Sequence, residues 1–359
     1  MSDVSSNTAD VLPWPAHHLE AVPECPICKG GSGRDLWHGE MTDRVFGIAP
    51  GAWSLYRCRD CGSGWLDPRP DAASLPQAYA GYFTHGEIRE RVIVRRRGIV
   101  RRWLHDALND YMNHRYGTRR VPASAYGHWL TWLLPPLRAA VDATCRHLPR
   151  APAGGGLLLD VGCGNGAFLR LAREMGWNVT GLDFDPEAVE QARNAGFEAI
   201  VGGVEALDTV ADRYDVITLS HVIEHVGDPN DTLACLYRLL KPGGMLWLET
   251  PNLGSLGHQL YGRDWRDLDP PRHLVLCNAQ SLRTTLSRTG FVDIRQRWNA
   301  MVSFEVLRAS SAIRHGRVAA NAGSNKKQLP REIMVEATEA LLPARREFLT
   351  FTAKKACST

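Results

Sequence analysis

The chain has 359 residues, 44% of them hydrophobic, enough to fill more than one domain-sized core. Its formal net charge of +3 is too small to call for nucleic acid or an acidic membrane as a partner, and no apolar run approaches a transmembrane span. The first 24 residues are polar and proline-bearing without the apolar stretch of a signal peptide, which predicts a cytoplasmic protein whose nine cysteines stay reduced.

Residues 1–22 read as a flexible tail. Next come Cys25-Pro-Ile-Cys28 and Cys58-Arg-Asp-Cys61, each followed by a glycine, Gly30 and Gly62, at or near a knuckle turn. Two such pairs predict a structural Zn2+ site in a ribbon over 23–70, because four thiolates close a tetrahedron and leave no position open for catalysis. So small a segment has little core of its own, so metal binding defines its fold and chelation is expected to unfold it first. Cys145, Cys163, Cys235, Cys277 and Cys357 show no ligand spacing.

Residues 71–150 are expected to form a helical segment that lies over the ligand site. Ile88, Val92, Ile99 and Trp103 recur near the helical period and predict a packed face, opposite a basic face with seven arginines between Arg89 and Arg102. That face is either solvated, or the wall of a pocket for an anionic acceptor, or a docking face for an acidic partner or lipid surface. Trp129-Leu-Thr-Trp-Leu-Leu-Pro135 is short and ends in proline, so it reads as a buried helix or a lid.

A catalytic domain is predicted over 151–298. Leu157-Leu-Leu-Asp-Val-Gly-Cys-Gly-Asn-Gly-Ala-Phe-Leu169 reads as a strand, a turn made by Gly162, Gly164 and Gly166, and a helix whose first amides face a ligand. The spacing departs from the G-x-G-x-x-G of dinucleotide sites, and Asp160 repels a phosphate while it suits an ammonium. Trp177-Asn-Val-Thr-Gly-Leu-Asp183 places an acid at the end of a second strand, where one carboxylate can take both hydroxyls of a ribose. S-adenosylmethionine has the ribose and the ammonium and no phosphate. Its expected contacts are Asp160, Gly162, Cys163, Gly164, Asn165, Gly166, Asp183, Phe184 and Ser220.

Here the chain resembles the class I S-adenosylmethionine-dependent methyltransferases, through roughly residues 155 to 298. Tyr214-Asp-Val-Ile-Thr-Leu-Ser-His-Val-Ile-Glu-His225 is similar to the family's fourth strand and following helix, and Leu239-Leu-Lys-Pro-Gly-Gly-Met-Leu-Trp-Leu-Glu249 to its helix, turn and fifth strand. The resemblance implies an α/β fold with a Rossmann-like seven-stranded sheet. With the ribbon it narrows to methyltransferases, many from natural-product and sugar pathways, that carry a four-cysteine zinc module ahead of the catalytic domain. Cys61-Gly-Ser-Gly-Trp-Leu-Asp-Pro-Arg-Pro70 is similar to the exit of that module, and Tyr79-Ala-Gly-Tyr-Phe-Thr-His85 to a Tyr-rich segment that in such enzymes lies over the cofactor. This brings Tyr82 to the cofactor and His85 to the acceptor. Deoxysugar C-methyltransferases share an acid-His pair to which Glu224 and His225 correspond, but they carry a further C-terminal domain that 359 residues cannot hold.

Transfer to a hydroxyl or carbon acid requires removal of a proton. His221 and His225, four apart on the predicted helix start after the fourth strand, and Glu224 beside them are candidates. So is His273, the preferred base, in Tyr261-Gly-Arg-Asp-Trp-Arg-Asp-Leu-Asp-Pro-Pro-Arg-His273, whose Pro-Pro-x-His element recurs in the subgroup. Tyr261 and Trp265 either stack on the acceptor or cover the core. Asn278 and Gly290 bracket a helix that leads into a strand at Phe291–Arg295. A helical extension is predicted over 299–359, with a loop at 315–329 and a final helix from Arg331. It either lids the site or pairs protomers, and monomer and homodimer both stay open. The expected function is O-methylation of a small metabolite, with carbon the second choice of receiving atom; an RNA methyltransferase or RNA-binding module using the ribbon and the arginines is the reading of a different class.

Overall fold

The computed structural model describes residues 13–79, 98–319 and 329–357. The chain opens with strands β1 (Leu19–Glu20), β2 (Arg34–Met41), β3 (Trp53–Cys58), β4 (Gly64–Leu66) and β5 (Arg69–Pro70). Helices α1 (Ile99–Tyr116), α2 (Gly127–Trp132) and α3 (Pro135–Thr144) follow. Strand and helix then alternate through β6 (Leu157–Val161), α4 (Ala167–Glu174), β7 (Asn178–Asp183), α5 (Pro186–Asn194), β8 (Glu198–Val201), β9 (Tyr214–Ser220), α6 (Pro229–Leu239) and β10 (Leu240–Pro251). The remainder comprises α7 (Leu256–Tyr261), β11 (Val275–Leu276), α8 (Ala279–Thr289), β12 (Phe291–Arg297), α9 (Ser303–Arg314), α10 (Leu329–Leu341) and β13 (Phe348–Lys355).

Seven strands form one sheet in the order β12-β13-β10-β9-β6-β7-β8. The five from β10 to β8 run parallel, and β13 is antiparallel to both its neighbours. Leu158, Leu159, Ile217, Leu219 and Leu248 are fully buried, as expected of parallel strands covered on both faces. The strand order turns back between β6 and β9, which leaves a crevice at their carboxyl ends, where open α/β sheets bind ligands.

Three expectations are corrected. The tail beyond 298 is not a purely helical extension, because β13 inserts between β10 and β12 and completes the sheet; α9 and α10 form an excursion between the last two strands. In α1 the predicted face is not the packed one: Ile99 is 80% and Trp103 53% exposed, whereas Ala107, Leu108, Tyr111, Met112 and Tyr116 are buried. The reason is that, among the described residues, α1 meets the apolar cluster with Val141, Leu148 and Trp177 from Leu104 onward. Ile88, Val92 and the arginines from Arg89 to Arg97 lie outside the described residues. Finally, the ribbon is not a separate lobe. Its strands β2, β3 and β4 are extended by β11 into one four-stranded sheet, and Cys25, Ile27, Cys58 and Trp65 share a core with Leu219, Leu274 and Phe291.

The helix bracketed by Asn278 and Gly290 is α8. Asn278 accepts from Gln280 and Ser281 amides and completes a capping box with Ser281, and Gly290 ends the helix at φ +105°.

Candidate active site

The turn after β6 folds as its glycines dictate. Gly162, Gly164 and Gly166 have φ of +73°, +52° and +82°, a region costly to residues bearing a Cβ. Gly162 and Cys163 amides donate to Leu182 O at 2.7 and 3.1 Å, and the Gly164 amide donates to Asp183 Oδ2 at 2.8 Å. Asp183 thus shapes the turn while standing at the end of β7, and it also accepts from the Asp185 amide at 3.0 Å. Burial raises its pKa against the pull of these amides.

Asp160 is fully buried. Its Oδ1 is bound by Arg146 Nη1 and by Thr218 Oγ1, the latter at 2.9 Å, while Oδ2 is buried with no partner. Burial raises its pKa, opposed by Arg146. An orphaned carboxylate oxygen beside an amide-lined turn fits the ammonium of an amino-acid moiety. Arg146 packs over the rings of Phe168 and Trp247, and no spacing in the sequence pairs it with Asp160. Phe184 is 55% exposed past β7 and meets Tyr79 edge-on at 5.5 Å; Asn165 and Ser220 are half-buried at the ends of β6 and β9. Tyr82 and His85 lie outside the described residues.

The histidines after β9 sit in a turn, not on a helix. His221 has φ +54° and its ring lies between two carboxylates, with Nδ1 3.2 Å from Glu224 and Nε2 3.7 Å from Glu249. Glu224 also accepts from Thr250 Oγ1 at 3.0 Å, and Glu249 from Thr350 Oγ1 at 2.6 Å and Asn299 Nδ2 at 2.7 Å. Enclosure opposes the imidazolium, yet the two carboxylates outweigh it and push His221 up to about 10; against the same burial, His221 draws Glu224 down to about 2. His221 therefore carries its proton at neutral pH, and neither nitrogen has a lone pair to offer. This corrects its candidacy as a base.

His225 has the opposite environment. Burial draws it down to about 4, so it is neutral. Its Nδ1 is 2.9 Å from Arg272 O and 2.8 Å from the Tyr79 hydroxyl. His273 is 7% exposed, its Nδ1 bonds Asp267 O at 2.7 Å, and its ring meets that of His225 edge-on at 4.8 Å. The ligand atoms of Glu224, His225 and His273 all lie within 4.8 Å of one another. Tyr261 and Trp265, expected as candidates to stack on the acceptor, are instead 5% and 1% exposed. Arg314 lies over the Tyr261 ring and Trp265 Nε1 donates to Glu347 at 3.0 Å, so both serve the core.

The four ribbon cysteines also converge. Their sulfurs lie within 4.8 Å of one another, Cys25 to Cys61 at 3.7 Å and Cys28 to Cys58 at 3.5 Å. A tetrahedron of Zn–S bonds has edges of about 3.8 Å, so the set fits that ion. Two turns present the pairs, with the Lys29 amide on Cys25 O and the Gly62 amide on Cys58 O, each at 3.0 Å.

Residues 137–296 match a protein-family model described as a methyltransferase domain. Similar curated proteins are a malonyl-[acyl-carrier protein] O-methyltransferase of Serratia marcescens, 37% identical over 33% of this chain and 47% of its own length, and a mitochondrial ubiquinone biosynthesis O-methyltransferase of Mus musculus, 32% identical over 33% and 35%. The chain spans about half the length, or less, of these relatives. Among solved structures, an S-adenosylmethionine-dependent methyltransferase of Archaeoglobus fulgidus aligns over 65% of this chain and 100% of its own, at 21% identity and a TM-score of 0.43. No helix among the described residues is long and apolar enough to cross a membrane. Residues 137–296 thus carry a methyltransferase domain, built on the seven-stranded sheet.

Proposed function

We propose that the chain methylates an oxygen of a small molecule of secondary or sugar metabolism, with carbon as the second choice of receiving atom. The observation that carries this reading is the line of contacts from the ligand turn to a neutral imidazole: Asp183 at the turn, Phe184 after it, Tyr79 against Phe184, and His225 on Tyr79. Bound S-adenosylmethionine supplies an electrophilic methyl on a sulfonium. Asp183 holds the ribose hydroxyls, Asp160 Oδ2 the ammonium, and the turn of Gly162, Cys163, Gly164, Asn165 and Gly166 frames them, with Phe184 and Ser220 completing the pocket. His225 takes the acceptor's proton on Nε2. His273, buried against it, and Glu224 hold that ring in place.

The four cysteines hold a structural Zn2+ that fixes the ribbon. The O-methyltransferase names of the curated relatives favour oxygen as the receiving atom.

The reading is tested with labelled S-adenosylmethionine and a panel of hydroxylated aromatic and sugar acceptors. Asp183→Ala removes two charge-assisted hydrogen bonds to the ribose and is expected to weaken binding by calorimetry at least about tenfold. His225→Ala is expected to lower turnover by about 10²-fold with binding unchanged. Equal affinity in the first variant overturns the cofactor assignment, and near-wild-type turnover in the second moves the proton transfer to His273.

A further inference from the structure

Arg272 stands one residue before His273, at the unspecified position of the Pro-Pro-x-His element. Its side chain has no exposure at all. Nε and Nη2 bind Asp269 at 3.1 and 2.7 Å, Nη1 donates to Ala78 O at 2.9 Å, and Nη2 donates to Asp43 Oδ1 at 2.6 Å. Asp43 belongs to the loop between β2 and β3 of the ribbon. It is itself the hub of that loop, accepting the amides of Val45, Phe46, Ile48 and Ala49 at 3.0 to 3.2 Å. The Phe46 ring covers the guanidinium at 4.8 Å. A planar fork so fully bound cannot shift without leaving buried charge unpaired.

The backbone of the same residue faces the active site. Arg272 O lies 2.9 Å from His225 Nδ1, and the adjoining amides of Leu274 and Val275 donate to Glu224 O at 2.8 and 3.2 Å. A carbonyl oxygen only accepts, so the short contact requires a proton on Nδ1 and leaves the lone pair on Nε2. Tyr79, 2.8 Å from the same nitrogen, is amphoteric and by itself would permit the opposite tautomer.

We infer that Arg272 is a positioning residue: its carbonyl fixes His225 in the Nδ1–H tautomer, and its ion pairs to Asp269 and to the ribbon's Asp43 hold that carbonyl in place. The N-terminal module thereby takes part in setting the protonation geometry of the active site, a role apart from metal binding. The inference rests on His225 as the proton acceptor, but its test reads the tautomer and not the transfer.

The full chain is labelled with 15N-histidine and saturated with S-adenosylmethionine, and the His225 ring is assigned by the signals lost in His225→Asn. Long-range 1H–15N correlation is expected to give a single tautomer with Nδ1 protonated. Arg272→Lys keeps the charge but loses the fork, and Asp43→Asn loosens the far end of the pair. Each is expected to bring the Nε2–H tautomer to at least about a tenth of the population, a change that rigid structural damage alone does not give, while cofactor affinity stays within about twofold. An Nε2–H or doubly protonated His225 in the parent protein overturns the inference, as does a parent-like spectrum in both variants. If Arg272→Lys does not fold, Asp43→Asn decides, and if neither folds the parent tautomer decides alone. Failure of S-adenosylmethionine to bind would defeat the proposed function while the tautomer, read without it, still decides the role of Arg272.

Discussion

His221 is the residue whose chemistry the local sequence conceals. Spaced four before His225, it has the look of a second base, but its two nitrogens face Glu224 and Glu249, which lie three and twenty-eight positions further along the chain. The folded-state pKa of about 10 is raised above the unfolded value of about 6.5. The stabilisation from this cluster is therefore complete below about pH 6.5 and is lost as pH rises through 10. His221→Gln should flatten the pH dependence of the urea midpoint over that window, with the parent's advantage largest near pH 6 and gone above 10. A parallel offset at all pH values would count against the imidazolium. With the side chain 36% exposed, solvent screening keeps the effect modest. His225, drawn down to about 4 by burial, gives the complementary expectation: turnover should fall with acid only below about pH 4 to 5, where the imidazole gains its proton. An acidic limb near 6.5 would mean that the ring is solvated during turnover.

Elements with a local signature were legible. The β6 turn, β7, β9, the start of β10 and the α8 caps follow from glycines, strand-end acids and side-chain caps, whose physics acts within a few residues. What was missed depends on distant partners. β13 is Phe348-Leu-Thr-Phe-Thr-Ala-Lys-Lys355, buried on both faces for six residues, so it shows no alternation to mark a strand. The family resemblance implies a helix directly after β9, whereas the backbone there is a turn, left-handed at His221. Arg146, Asp43 and Arg272 carry no motif, since burial and pairing with residues 14 to 229 positions away are what define them. The glycine turn is also tied to that left-handed segment. A Cβ on Gly162 would lie 2.4 Å from Val222 Cγ2, so the turn after β6 and the turn after β9 are packed as one unit. Gly162→Ala should cost about 1–2 kcal/mol in backbone strain alone and more from the clash, and should weaken S-adenosylmethionine binding; Gly162→Ala, Val222→Ala should recover only the part due to the clash. Full recovery by the double variant would show that φ at Gly162 is unimportant.

At the scale of the whole molecule, the ribbon and the catalytic domain share one apolar core, and this changes what metal removal should do. The cysteine turns are capped by side chains from the far half of the chain: Asn278 Nδ2 on Cys61 O at 2.8 Å, Arg288 Nη2 on Ile27 O at 2.6 Å and Asn230 Nδ2 on Pro26 O at 2.6 Å. β11 extends the ribbon sheet two residues after His273, and Asp43 grips Arg272. A ribbon that unfolded alone would strip the partners from each of these groups and expose the shared core around Trp65 and Leu274. Chelation is therefore expected to lower the midpoint of a single calorimetric transition rather than split off an early one, and to reduce cofactor affinity along with it because the turn after β9 loses its support at Leu274 and Val275. Cys58→Ser should behave as the chelated protein does and should contain less than one equivalent of zinc by elemental analysis. Two resolved transitions after chelation, with S-adenosylmethionine affinity intact, would instead identify the ribbon as an independent lobe whose contacts with α6, α8 and β11 contribute little to the fold.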